Sequence, residues 1–269
     1  MHGKSWEVGR IGSIPICIDL TWLLVLVPIT ASLALGYMPA RYPSFSHVSA
    51  WAVSTSATCL LFLSVLGHEL AHALIAKRSG IPVERISLFL FGGVAVLRRE
   101  PATAWDEIKM AAAGPVLSLW VGVLLGIVYI ALSGIWPASP PVALVEYLAI
   151  INLALAFFNL IPAYPLDGGR LLRATVWSVT GDFKRATRIC STLAQGLALL
   201  LIFWACLRMI SGVAGGGTLS NSWVTSTWIL LTGWFLGEAA RAGSQGEICD
   251  PGEDDGQEQA NQRLPGEDS

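Results

Sequence analysis

The sequence predicts an all-α polytopic membrane protein of about six transmembrane helices, and three observations carry that prediction. Of 269 residues, 54% are apolar and only 13% charged, where an ordinary globular domain carries about 25% charged residues. The stretches 20–40, 42–67, 110–145, 147–166, 189–207 and 209–237 hold no Asp, Glu, Lys or Arg, and roughly 20 apolar residues suffice to cross a bilayer as a helix. The remaining charge is segregated. Residues 243–269 hold eight acids and one base, which leaves 16 bases and 11 acids in residues 1–242, a net of +5.

Trimming the uncharged stretches at Pro, Gly and polar clusters places the helices at about 18–37, 51–76, 105–132, 143–162, 190–211 and 223–241. The first is not a cleaved signal peptide: its apolar core is too long and no small-x-small site follows it. Residues 1–242 read as one transmembrane domain. Residues 243–269, polar and short of aromatics, read as a disordered acidic tail. With the N-terminus inside, 15 of the 17 bases fall on inner segments, and only Arg41 and Arg208 lie outside. Cytoplasmic loops retain Lys and Arg, so a multi-pass protein of the cell membrane with both termini cytoplasmic is expected. The 11 tryptophans mostly fall near helix ends, as interfacial anchors do. Five scattered cysteines without a C-x-x-C pair read as packing residues. No basic face suggests a nucleic-acid partner.

Near the inner end of the second helix the chain reads Gly67-His68-Glu69-Leu70-Ala71-His72. Helix positions four apart share a face, so His68 and His72 can offer two imidazole nitrogens to one Zn2+. Glu69, beside the first ligand, is then placed to accept a proton from water. H-E-x-x-H arises by chance in soluble sequences. Within a membrane helix, however, a carboxylate and two imidazoles are costly to bury unless they have a task. Two of the four histidines occupy this one turn; His2 and His47 read as terminal and outer-loop residues.

A catalytic zinc usually takes three protein ligands and keeps one position open. Among the candidate acids, Glu146 lies toward the outer face and Asp19 at the start of the first helix. Asp106, Glu107 and Glu238 lie at inner helix ends, and depth alone leaves them open. Asp167 is the better candidate, in Asn159-Leu160-Ile161-Pro162-Ala163-Tyr164-Pro165-Leu166-Asp167-Gly168-Gly169-Arg170. Two prolines end the fourth helix, and two glycines allow a turn just after the acid. Irregular backbone at membrane depth is tolerated where it packs in protein or lines a wet cavity. The competing reading makes Asp167 a cap on the next helix.

The two segments together resemble the site-2 protease family of intramembrane zinc metalloproteases, peptidase family M50. Its signatures are H-E-x-x-H on one membrane helix and N-x-x-P-x-x-x-x-D-G on a later one, matched here at 68–72 and 159–168. The resemblance implies His68, His72 and Asp167 as ligands of one zinc per chain and Glu69 as the general base. Asn159 matches the family's asparagine, whose implied role is to help position the substrate strand or to polarise the peptide near the metal. Residues 83–97 resemble the family's membrane-associated β-hairpin after the second helix, with Gly92 and Gly93 able to take the positive φ of a tight turn. Its exposed edge could hold an extended substrate. Ala113-Gly114-Pro115 resembles the family's A-G-P segment, whereas Ser118 stands where asparagine is frequent. Neither a PDZ-like insertion nor a C-terminal nucleotide-binding CBS-type domain is legible, so the chain reads as a minimal core regulated by a membrane partner or by substrate availability.

The function this implies is hydrolysis of a peptide bond within or next to a transmembrane helix. The substrate would be a membrane-embedded single-helix protein, such as a tethered transcription factor or an anti-sigma factor, met within the lipid bilayer. Two readings compete with it. A prenyl-protein processing protease would take its third ligand from Glu238, and a metal transporter or scaffold would need the ligands but not Glu69.

Overall fold

The computed structural model describes residues 5–19, 21–89, 92–214 and 219–246. Its helices are α1 (Thr21–Ser32), α2 (Met38–Arg41), α3 (His47–Arg78), α4 (Ala104–Ser133), α5 (Pro140–Asn159), α6 (Asp167–Thr180), α7 (Phe183–Ala214) and α8 (Leu219–Gly246). A π-helical turn, Leu33–Tyr37, joins α1 to α2. Residues 247–269, most of the expected acidic tail, lie outside the described residues.

Among the described residues, five helices are long and apolar enough to cross a membrane: Leu24–Arg41, His47–Arg78, Ala104–Ser133, Pro140–Asn159 and Phe183–Ser211. They correspond to the first five expected spans. The expected sixth falls on α8, where a shorter apolar stretch, Ile229–Glu238, is found. On α4, Val116, Trp120, Val123, Ile127 and Ile130 form one exposed apolar face. Such a continuous face suits lipid contact, not water.

The first expected helix starts too early, because Ile14–Asp19 is a strand. Instead of a lone hairpin at 83–97, the protein has a four-stranded sheet of order β1-β2-β3-β4, with β1 (Ser5–Ile11), β2 (Ile14–Asp19), β3 (Val83–Phe89) and β4 (Gly92–Leu97). The β1–β2 turn carries Gly12 at φ 60°, a backbone angle that costs glycine nothing. Strand β2 then pairs in parallel with β3, Ile16 opposite Ile86, and β3 pairs antiparallel with β4. Gly92 and Gly93 lie within β4, opposite Phe89 and Leu88. Residues 90 and 91, between the two strands in sequence, lie outside the described residues.

The chain divides into two units. One comprises Met1–Glu100 and Lys109–Asn159, the other Pro101–Ile108 and Leu160–Ser269, so α4 begins in the second and continues in the first. In the first unit α3 is the organising element. Ser46 caps it, its Oγ accepting from Ser49 N–H at 3.1 Å, and Lys77 and Arg78 occupy its last turn, where cations favour the helix dipole. Ile14 and Ile86 of the sheet pack on Ala73 of α3, with Leu66 and Leu70 alongside. The sheet therefore braces the half of α3 that carries the histidines. In the second unit α7 and α8 pack through small residues: Ala194, Ala198 and Ala240 are buried together, and a Cβ on Gly233 would stand 3.1 Å from the Ala198 carbonyl oxygen. Small residues let helices approach closely where no hydrophobic force acts between them.

Candidate metal centre

His68 and His72 are both buried on α3, with ring centroids 4.9 Å apart and a ligand nitrogen of each within 4.8 Å of the other. Their orientation is set by α4. The Nδ1 of His72 donates to the Met110 carbonyl oxygen at 2.7 Å; a carbonyl only accepts, so the proton is on Nδ1 and the lone pair on Nε2. The Nδ1 of His68 lies 2.9 Å from Ser118 Oγ, and a proton there leaves its Nε2 bare in the same way. Between these two anchors stands Gly114. A Cβ at that position would collide with His72 Nε2 and stand 2.5 Å from His68 Nε2. Both Nε2 atoms thus gather over a spot kept open by a missing side chain. Two imidazoles with outer-shell partners on Nδ1 make a donor set suited to zinc.

Met110, Gly114 and Ser118 are four residues apart and share one face of α4, as His68 and His72 share one face of α3. This supporting triplet was the main feature missed from sequence. Ser118 was legible only as a departure from the family's asparagine, although the four-residue spacing was there to be read.

Glu69 is half-buried next to the pair. The neighbour that places it is Gly93 of β4: a Cβ there would lie 2.5 Å from Glu69 Cγ. Gly93 is therefore required by a side chain packed across it, not by a turn. The expectation of a positive-φ turn pair at Gly92 and Gly93 is corrected accordingly.

In the second unit, Asp167 is the first residue of α6 and half-buried. The loop before it is tightly wound, with Leu166 N–H donating to the Ala163 carbonyl at 2.9 Å and Gly169 N–H to that of Leu166 at 3.0 Å. Gly168 and Gly169 do not form the turn that was expected after the acid; they lie in the first turn of α6. A Cβ on Gly168 would run into the Leu160 and Ile161 carbonyls, and one on Gly169 into Ala163 and Tyr164. The glycines let the helix start flush against the loop, which fixes where Asp167 leaves the backbone.

The other candidate acids have different employment. Glu146 is paired with Arg41 at 2.7 Å and accepts from the Tyr42 hydroxyl. Asp106 accepts from Thr103 Oγ1 at 2.7 Å while Thr103 Oγ1 accepts from Asp106 N–H at 3.1 Å, a helix-capping arrangement. Glu107 is fully buried and accepts from Arg173 Nε at 2.8 Å. Glu238 is exposed and pairs with Arg241 at 2.9 Å, and Asp19 ends β2. Asn159 ends α5, and its Nδ2 donates back to the Leu155 carbonyl at 2.9 Å.

Comparison with known proteins bears on this arrangement. The family model for peptidase family M50 matches residues 56–141 and 126–203, a combined run over more than half of the chain. The chain belongs to peptidase family M50. Zinc metalloprotease MJ0392 of Methanocaldococcus jannaschii is 36% identical over 209 residues, covering 76% of this chain and 55% of that protein. The protein sll0528 of Synechocystis sp. is 39% identical over 230 residues, covering 86% and 57%. The chain thus spans little more than half the length of these M50 relatives. Among solved structures, Site-2 Protease from Methanocaldococcus jannaschii aligns at TM-score 0.59 with 29% identity, covering 91% of this chain and 98% of that one. The site-2 protease resemblance carried by the two motifs is borne out, and with it a mostly helical M50 membrane fold.

Proposed function

We propose that this chain is an intramembrane zinc metalloprotease that cuts a peptide bond within or next to a transmembrane helix of a membrane-tethered protein. The observation that carries the reading is the pair of buried imidazoles with Nδ1 anchored on α4 and Nε2 turned over the methyl-free face of Gly114. His68 and His72 would hold the metal. Asp167, the acid of the second M50 signature, would complete the ligand set from the start of α6. When bound, zinc supplies Lewis-acid polarisation of a carbonyl and acidifies water near it.

The rest of the chemistry belongs to side chains. Glu69 takes a proton from the attacking water as oxygen bonds to the scissile carbonyl carbon. It returns that proton to the amide nitrogen as the C–N bond breaks. Gly93, with no side chain of its own, leaves the room against β4 that the Glu69 side chain occupies. A substrate helix shields its own amides with hydrogen bonds, so it must unwind locally first, and strand β4 offers an edge along which an unwound segment could lie extended. Asn159, at the end of α5, is placed by its motif as an aid to that positioning. With both termini in the cytoplasm, a site near the Lys77–Arg78 end of α3 suits release of a cytoplasmic domain, as of a tethered transcription factor or anti-sigma factor.

The deciding experiment is co-expression with a tagged single-helix substrate. Glu69→Gln should abolish the product while bound zinc stays near one per chain, and Asp167→Ala should lose both. Product undiminished in Glu69→Gln would overturn the hydrolase reading.

A further inference from the structure

The second unit contains a fully buried ion pair that the chemistry above does not use. Glu107, in the first turn of α4, and Arg173, one and a half turns into α6, are both 0% exposed. Arg173 donates to Glu107 Oε1 through Nε at 2.8 Å and through Nη2. Arg170, one turn earlier, brings its Nε to 3.7 Å from the same oxygen. The Arg173 guanidinium also lies over two rings, 5.5 Å from the Tyr164 centroid and 4.8 Å from that of Phe183. One side chain thereby ties together the start of α4, the loop before Asp167 and the start of α7.

A buried ion pair is a poor device for stability alone, since desolvating both ions offsets their attraction and an apolar pair of similar volume often does as well. Its better-attested use is to fix one arrangement among several. Here the arrangement is informative. Arg170 and Arg173 are the third and sixth residues after Asp167, and Tyr164 is the third before it, so the pair clamps the backbone on both sides of that carboxylate.

We infer that Glu107 and Arg173 are positioning residues for Asp167, holding the start of α6 against the first turn of α4 so that the carboxylate leaves the backbone at a fixed place and in a fixed direction. The inference rests on the reading of Asp167 as a ligand. Arg173 suits the task better than lysine would, because its planar fork fixes direction as well as distance and stacks on rings.

The test uses the full chain purified in detergent. Zinc affinity is measured by competition with a chelator, and the visible spectrum is recorded after cobalt substitution. Asp167→Ala is the reference. Because either single neutralisation strands a buried charge, the main variant is Glu107→Leu with Arg173→Met, accompanied by Arg173→Lys, which keeps the charge but not the fork. The double variant should unfold near the wild-type temperature, yet bind zinc at least tenfold more weakly, in the range of outer-shell losses, with a shifted cobalt spectrum. Arg173→Lys should shift the spectrum in the same sense. Wild-type affinity and spectrum in a folded double variant, or in Arg173→Lys should the double variant not fold, would overturn the positioning role while Asp167→Ala still lost zinc. Wild-type affinity in Asp167→Ala would overturn the ligand reading itself, and the inference with it.

Discussion

Gly114 is kept by its neighbours, not by its backbone. A glycine in a helix interior costs about 1 kcal/mol relative to alanine, yet a methyl here would overlap both imidazole Nε2 atoms. The two effects have opposite signs and separate cleanly. Gly114→Ala should leave the unfolding temperature of the metal-free protein unchanged or slightly raised, while zinc affinity measured by chelator competition falls by about a hundredfold or more. Ser118→Ala removes only the partner of His68 Nδ1, so a loss of roughly tenfold is expected, at the lower end of outer-shell effects. Gly93→Ala works on the other component. The added methyl would displace Glu69 from 2.5 Å, so cleavage of a tagged substrate should fall at least tenfold with zinc content intact. Zinc loss in Gly93→Ala would mean that β4 supports the ligands and not the base.

At the scale of elements, what was legible in the sequence follows from what the bilayer enforces. A spanning helix must be continuously apolar, so α3, α4, α5 and α7 could be placed from uncharged runs to within a few residues, except that α7 starts at Phe183, well before the expected 190. The sheet was half hidden because β2 joins β3 by parallel pairing across 70 residues, Ile16 to Ile86; no local pattern reports such a partner. The end of the apolar run Ile14-Pro15-Ile16-Cys17-Ile18 was read into the first span, which was placed from about 18. Helix α6 was hidden for the opposite reason, being amphipathic and too short and polar to stand out as a span. The metal residues were legible because their spacing is a property of one helix turn, whereas Met110, Gly114 and Ser118 acquire meaning only when α4 lies against α3. The glycines of α6 make this element testable. Gly168→Ala and Gly169→Ala force a methyl into the 160–164 backbone, an overpacking worth about 1–3 kcal/mol. Both should lower the unfolding temperature and zinc affinity together, unlike Gly114→Ala, as read by thermal melts run beside the chelator titration.

For the molecule as a whole, the orientation drawn from charge can be set against geometry within the first unit. Helix α3 has 32 residues, about 48 Å at 1.5 Å per residue, longer than a hydrocarbon core of about 30 Å. Its Ser46 cap and its Lys77–Arg78 end must therefore face opposite sides. Arg41, one of the two bases left outside by the charge count, pairs with Glu146 near the start of α5, and Asn152 of α5 donates to Ser64 Oγ of α3 at 3.1 Å. Ala50 and Val53 of α3 cluster with Ala143 of α5 and Ala57 with Tyr147, so the contacts advance along both helices together and α3 and α5 run in the same direction, as second and fourth spans must. In the proposed orientation the 41–46 segment and the start of α5 share the outer side, and Lys77 and Arg78 the cytoplasmic one. In a cysteine-free variant, Ser44→Cys should react with a membrane-impermeant maleimide on intact cells, whereas Thr180→Cys should react only after permeabilisation. The reverse pattern would invert the whole topology and put release of a cytoplasmic domain out of reach of a site at the Lys77 end of α3. Labelling of both on intact cells would instead remove α5 from the set of spans and leave the orientation of α3 to be carried by its own basic end.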